Sequence, residues 1–223
     1  HLHEIPRAVQ NLKVSATNLR VGKFSGPVGN YTNCFKEVEQ EACSYLYLGS
    51  SSFTTQVIPR DRHAQFITDC AIFAGVIERL ATTIRHGQRP EINEVAEGFS
   101  SGQKGSSSMP HKKNPILCEN LCGLARLVRS TVQPALEDIN LWHERDMTHS
   151  SVERVILPEA TTLLCFMIER MTQILTNLVV YPENMLQKIY DNDNYASQSV
   201  LLTLVQNGFS RQDAYKIVQD ANF

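Results

Sequence analysis

Three serines, a histidine and two lysines stand in one short run, Gly105-Ser106-Ser107-Ser108-Met109-Pro110-His111-Lys112-Lys113-Asn114-Pro115, and Glu119 follows shortly after it. Each part has a chemical use. Glycine lets backbone N–H groups approach a ligand, and a helix N-terminus beside lysines favours a carboxylate or a phosphate. A serine held among such groups can act as a base, because backbone donors and positive charge stabilise its alkoxide, although a hydroxyl that far from its ordinary pKa needs strong help. Composition alone supports a plainer reading, a flexible Ser/Gly linker with solvated lysines.

Further polar groups gather elsewhere. Gln56 precedes Arg60-Asp61-Arg62-His63, and Leu141-Trp142-His143-Glu144-Arg145-Asp146 runs into Thr148-His149-Ser150-Ser151-Val152-Glu153-Arg154. Arginines with nearby hydroxyls suit carboxylates and phosphates. Each residue also has a structural alternative. Ser150 with Glu153 has the form of a capping box, and Arg145 and Arg154 have Asp146 and Glu153 within reach as surface partners. Glu119 can complement a helix dipole, with Asn120 facing solvent beside it. No two of His63, His111, His143 and His149 have the spacing of a helical or strand ligand pair, so no metal site is expected.

Helical periodicity supplies the elements that must position these groups. Leu2, Ile5, Val9, Leu12, Ala16 and Leu19 share one face, with Pro6 in the first turn, and a shorter helix is expected from about Phe35 to Leu48 after the glycine-bearing stretch 22–33. Between Asp61 and His86, Phe66, Cys70, Phe73, Ile77, Leu80 and Ile84 form the stripe of a long bundle helix. Gly98 to Pro110 reads as a mobile loop. Asn114-Pro115 then predicts an N-cap and first helical residue ahead of the stripe Leu117, Leu121, Leu124 and Val128, which Pro134 ends or kinks. A long helix is expected from Ser150 to about Val180, bent at Pro158, and three short ones follow over 183–191, 196–206 and 211–220. The fold class expected is all-α, a long-helix bundle over residues 1–181 and the start of a small helical domain over 182–223.

Composition narrows the function. The 223 residues are 42% hydrophobic and 20% charged with a net charge of −2, which excludes disorder and an overall basic field for nucleic acid or an anionic membrane. No apolar run approaches the ~20 residues needed to span a bilayer. Six scattered cysteines suggest a reduced, cytoplasmic compartment, with Cys118 and Cys122 in the core. The chain opens at His1 already in helical register, so it reads as a piece of a longer protein.

The string Gly-Ser-Ser-x-Met-Pro-x-Lys-x-Asn-Pro, carried by Gly105 to Pro115, resembles the signature of the fumarase/aspartase superfamily, lyases that split a C–N or C–O bond and release fumarate. The Met-Pro-His-Lys form of that run, the Arg60 to His63 segment and the Leu141 to Arg154 segment resemble its bacterial-type adenylosuccinate lyase branch, and the similarity covers nearly the whole chain. It implies that Ser106 is the general base, that Lys112 steadies the carboxylate beside the abstracted proton, and that Glu119 holds a histidine acid. That histidine belongs to a Thr-His-Gly type segment preceding the first bundle helix. The sequence contains no Thr-His-Gly, so this chain alone is expected to be inactive. The resemblance further implies substrate contacts at Gln56, Ser107, Lys112, Asn114, Asn120, Arg145, Ser150 and Arg154, adenylosuccinate as substrate, no cofactor, and a homotetramer whose active sites are shared between three chains. Sister lyases that share the Gly-Ser-Ser run and a non-catalytic helical scaffold are the alternatives.

Overall fold

The computed structural model of the chain describes residues 1–51, 53–99, 109 and 112–222. Ser106, Ser107 and His111, and with them most of the loop expected over 98–110, lie outside the described residues. Four helices carry the body: α1 (Glu4–Asn18), α3 (Asp61–Gly87), α4 (Ile116–Ser130) and α6 (Thr148–Thr176). A shorter α2 (Lys36–Tyr45) follows α1, and α5 (Val132–Glu137) follows α4. The tail holds α7 (Pro182–Tyr190), α8 (Ser197–Gln206) and α9 (Arg211–Asn222). Strand content among the described residues is confined to two-residue bridges, β1 (Val21–Gly22) parallel to β2 (Gly49–Ser50) and β3 (Val95–Ala96) antiparallel to β4 (Val179–Val180).

α3 is the axis of the bundle and packs against α1, α4, α5 and α6. Polar contacts fix the directions of its neighbours. Arg79 on α3 reaches Glu4 at the start of α1, whereas Arg62 donates to the Asn18 carbonyl at its end, so α1 runs antiparallel to α3. Arg60, preceding α3, pairs with Glu153 in the second turn of α6, so those two helices start at the same end.

Enclosure explains why the core is wider than the expected stripe. Cys70, Phe73, Ile77 and Ile84 are buried as expected, but Phe66 and Leu80 are only partly so, while Ile67, Ala64, Ala74 and Ala81 are fully enclosed. Alanines let neighbouring helices approach on more than one side of α3. Leu121 and Val128 on α4 and Met167 and Ile174 on α6 complete the core, and Cys118 and Cys122 lie in it as expected.

Two expected helix starts are corrected. α4 begins at Ile116 with Pro115 at the N-cap, and the first-turn acceptors come from far upstream: the Glu97 carboxylate takes the Leu117 and Cys118 N–H groups at 3.2 and 2.6 Å. α6 begins at Thr148, ahead of Ser150, because Asp146 accepts from both the backbone and the hydroxyl of Thr148 at 2.9 and 2.7 Å. The Ser150–Glu153 capping box does not form, since Arg60 occupies Glu153. The break after α4 falls at Thr131, ahead of Pro134, which fits within the first turn of α5. α6 runs through Pro158 and ends at Thr176.

Candidate active site

Six of the expected site residues line two clefts at opposite ends of α3. The first, about 590 Å³, lies where α3 and α6 begin and is lined by Arg60, Arg145, His149, Ser150, Glu153 and Arg154 among others. Ser150 and Arg154 are one helical turn apart, so their side chains meet. Arg154 donates from Nη2 to the Ser150 hydroxyl at 2.8 Å and from Nε to the Ser150 carbonyl at 2.7 Å. The acids expected as surface partners are engaged elsewhere. Arg60 grips Glu153 through two hydrogen bonds of 2.6 and 3.2 Å, and Asp146 serves Thr148, whose two hydrogen bonds hold its carboxyl below the usual range. Arg145 and Arg154 therefore have no carboxylate partner among the described residues.

Buried ionisable groups underlie this cleft. Burial, reinforced by the Arg60 guanidinium, lowers the His63 pKa, and the ring Nδ1 has no hydrogen-bond partner. Burial raises the pKa of Asp138, against the opposing pull of His149. Gln56 sits on the adjoining loop, whose position is set by the Gln56 N–H donating to the Glu144 carbonyl at 3.1 Å and by Lys23 donating to the Gln56 carbonyl at 3.0 Å.

The second cleft, about 610 Å³, lies where α3 ends and α4 begins. Lys112, Asn114 and Glu119 line it, joined by Arg85, Arg89 and Lys113. Arg89 is paired with Glu91, which leaves Arg85, Lys112 and Lys113 against one lining carboxylate and makes the cleft a place for an anion. The helix terminus itself is not free to bind one, because Glu97, 2% exposed, already occupies the first-turn donors of α4. This corrects the expectation that the terminus would face a ligand: the lysines and arginines must meet its charge. Asn120 lines neither cleft and instead accepts from Arg170 at 2.7 Å.

The structure thus brings Arg145, Ser150 and Arg154 together, with Gln56 next to Val57 on their rim, and brings Lys112, Asn114 and Glu119 together elsewhere. From Arg60 to Arg85 along α3 is roughly 35–40 Å at 1.5 Å per residue. One small molecule cannot touch both clefts of a single chain. The sequence reading missed Arg85, Arg89 and Lys113, whose cationic types at the end of α3 and the start of α4 were the only available signal. It also missed Arg60 and Glu97, which act through partners distant in sequence. Among the described residues no three His, Cys, Asp or Glu side chains group as a metal site, and no helix is long and apolar enough to cross a membrane.

Residues 1–130 match the protein family described as Lyase. Curated adenylosuccinate lyases from Thermotoga maritima, Synechocystis sp. and Helicobacter pylori are 51%, 49% and 47% identical to the chain over 97%, 98% and 97% of its length. The chain spans about half the length of these relatives, covering 50%, 51% and 50% of them. Its fold is similar to that of a fumarate lyase from Mesorhizobium sp. BNC1, with a TM-score of 0.81 at 23% identity over 96% of this chain and 48% of that one. It is also similar to 3-carboxy-cis,cis-muconate lactonizing enzyme from Pseudomonas putida, with a TM-score of 0.80 at 24% identity over 96% of this chain and 48% of that one. Since the family match takes in more than half of its residues, and helical packing of the same form accompanies it, the chain belongs to the Lyase family.

Proposed function

We propose that the protein to which this chain belongs is an adenylosuccinate lyase, eliminating fumarate from adenylosuccinate to leave AMP, and acting likewise on the aminoimidazole carboxamide analogue. The observation that carries the proposal is the pair of separated clefts, each holding cations without a carboxylate partner among the described residues, Arg145 and Arg154 in one and Lys112 and Lys113 in the other. Adenylosuccinate has a phosphate at one end and two carboxylates at the other, so it needs two such groups. The nucleotide phosphate is assigned to Arg145, Ser150 and Arg154, whose planar guanidinium groups match phosphate oxygens. The succinyl carboxylates are assigned to Lys112, Ser106 and Ser107, with Asn114 beside them. Gln56 and Asn120 complete the proposed contacts.

Ser106 removes the proton from the succinyl carbon next to a carboxylate. The electron pair moves into that carboxylate as an aci-carboxylate dianion, which Lys112 stabilises more than the ground state, and this difference lowers the barrier. Collapse forms the fumarate double bond and breaks the C–N bond, and the departing nitrogen takes a proton from a histidine acid positioned by Glu119. That acid is assigned to a Thr-His-Gly segment, which the sequence of residues 1–223 does not contain. No metal or organic cofactor is required by these steps.

The separation of the clefts supports a homo-oligomeric enzyme in which different chains supply the two ends of each site, and the proposed assembly is a tetramer with sites shared between three chains. Residues 1–181 are proposed as the central bundle domain and 182–223 as the start of a C-terminal helical domain, in the cytoplasm. Fumarate release from adenylosuccinate by the full-length protein tests the reading. A Ser106→Ala variant is expected to lose about 10²- to 10⁴-fold in kcat, the range a general base contributes. Release from argininosuccinate and not from adenylosuccinate would overturn the substrate assignment, and an unimpaired Ser106→Ala would overturn the assignment of the base.

A further inference from the structure

We propose that Gln88 and Glu97 form a clasp joining the two ends of the Ser106-bearing segment, and that both are positioning residues for the elimination. Glu97 lies at the entry to that segment and α4 at its exit. The Glu97 carboxylate binds across this gap, with Oε1 accepting the Cys118 N–H at 2.6 Å and Oε2 the Leu117 N–H at 3.2 Å. Gln88 bridges the same two ends with its side-chain amide. Its Oε1 accepts the Glu97 N–H at 2.9 Å, and its Nε2 donates to the Lys113 carbonyl at 2.9 Å. The Lys113 ammonium also lies 5.6 Å from the centre of the Phe99 ring, a third contact between entry and exit.

Capping alone does not explain this arrangement. A helix start is satisfied by a local Asn, Asp, Ser or Thr, and Asn114 stands one residue before the N-cap of α4. A carboxylate reaching from position 97 does something a local cap cannot, since it holds the ends of the intervening segment at a fixed separation. The entropy of bringing those two ends together is then lost on folding and is not charged to the reaction. Gln88 acts on the backbone next to Lys112, the residue assigned to the carboxylate whose charge grows during proton removal. The entry strand is itself fixed from the tail, where the Tyr181 N–H donates to the Glu94 carbonyl at 2.9 Å and Asn184 donates to the Asn93 carbonyl at 2.7 Å.

The inference rests on the proposed elimination and is tested in the full-length protein with Gln88→Met and Glu97→Gln. Gln88→Met keeps side-chain length at a partly exposed position and removes both bridging hydrogen bonds; Glu97→Gln keeps one acceptor oxygen in the same volume. The readouts are kcat for fumarate release, the Kd for AMP and the thermal midpoint. Positioning predicts a fall in kcat of about tenfold to a hundredfold, with AMP affinity and the midpoint of Gln88→Met unchanged, because the nucleotide binds at the other cleft. Unaltered kcat in both variants would overturn the clasp's role, as would kcat, AMP affinity and midpoint all falling together, the mark of a purely structural cap. If the wild type itself releases no fumarate, the functional reading fails and the clasp's catalytic role with it.

Discussion

Arg154 is oriented before any ligand arrives, because both of its hydrogen bonds go to Ser150 one turn earlier. Removing the hydroxyl frees one end of the guanidinium and deletes a donor for phosphate. Ser150→Ala in the full-length protein is therefore expected to weaken AMP binding by about 1–2 kcal/mol, roughly a tenfold rise in Kd by calorimetry. His63 provides a different kind of test. Unfolded, it takes its proton near the ordinary value of 6.5; folded, burial and Arg60 delay protonation to lower pH. Between those values the unfolded state holds more protons, so stability is lost on acidification through that window. Urea midpoints measured from about pH 7.5 to about pH 5.5 should fall more steeply for the wild type than for His63→Gln, in which this linkage is absent.

At the scale of elements, the loop that carries Gln56 depends on a glycine. Gly29 has φ +74°, and a Cβ there would stand 1.8 Å from the Thr54 carbonyl oxygen. Gly29→Ala should cost about 2 kcal/mol or more, since it adds a backbone collision to the left-handed penalty, and should lower the thermal midpoint of the full-length protein. The long helices were legible in the sequence because apolar residues recur at helical spacing, and α3 was placed to within one residue of Asp61–Gly87. Their starts were less so. Asn114-Pro115 and Ser150 with Glu153 carry plausible local signals, but the groups that satisfy those first turns are Glu97 and Asp146, chosen by tertiary packing and by a preceding turn. Phe66 and Leu80 likewise fit a one-sided stripe better than a helix enclosed by four neighbours. Of the candidate site, the types Lys112, Glu119, Arg145, Ser150 and Arg154 were readable from sequence order. Their division between the two ends of α3 was not, because periodicity reports which face a residue takes and not which site it serves.

The whole molecule places those ends roughly 35–40 Å apart, so the functional reading requires chains to combine. A phosphate held at one cleft and a succinyl group at the other can belong to one small molecule only if the clefts come from different copies. Full-length Ser106→Ala and Arg154→Ala variants then damage different contributions to each site, and a mixed oligomer contains some sites with neither defect. The decisive measurement is fumarate release from adenylosuccinate after the two variants are dissociated together and reassociated, beside each variant alone and the wild type. Each variant alone should be nearly inactive, and the mixture should regain a sizeable fraction of wild-type activity. A mixture as inactive as its parents, with the wild type active and hybrid oligomers demonstrated, would contradict it.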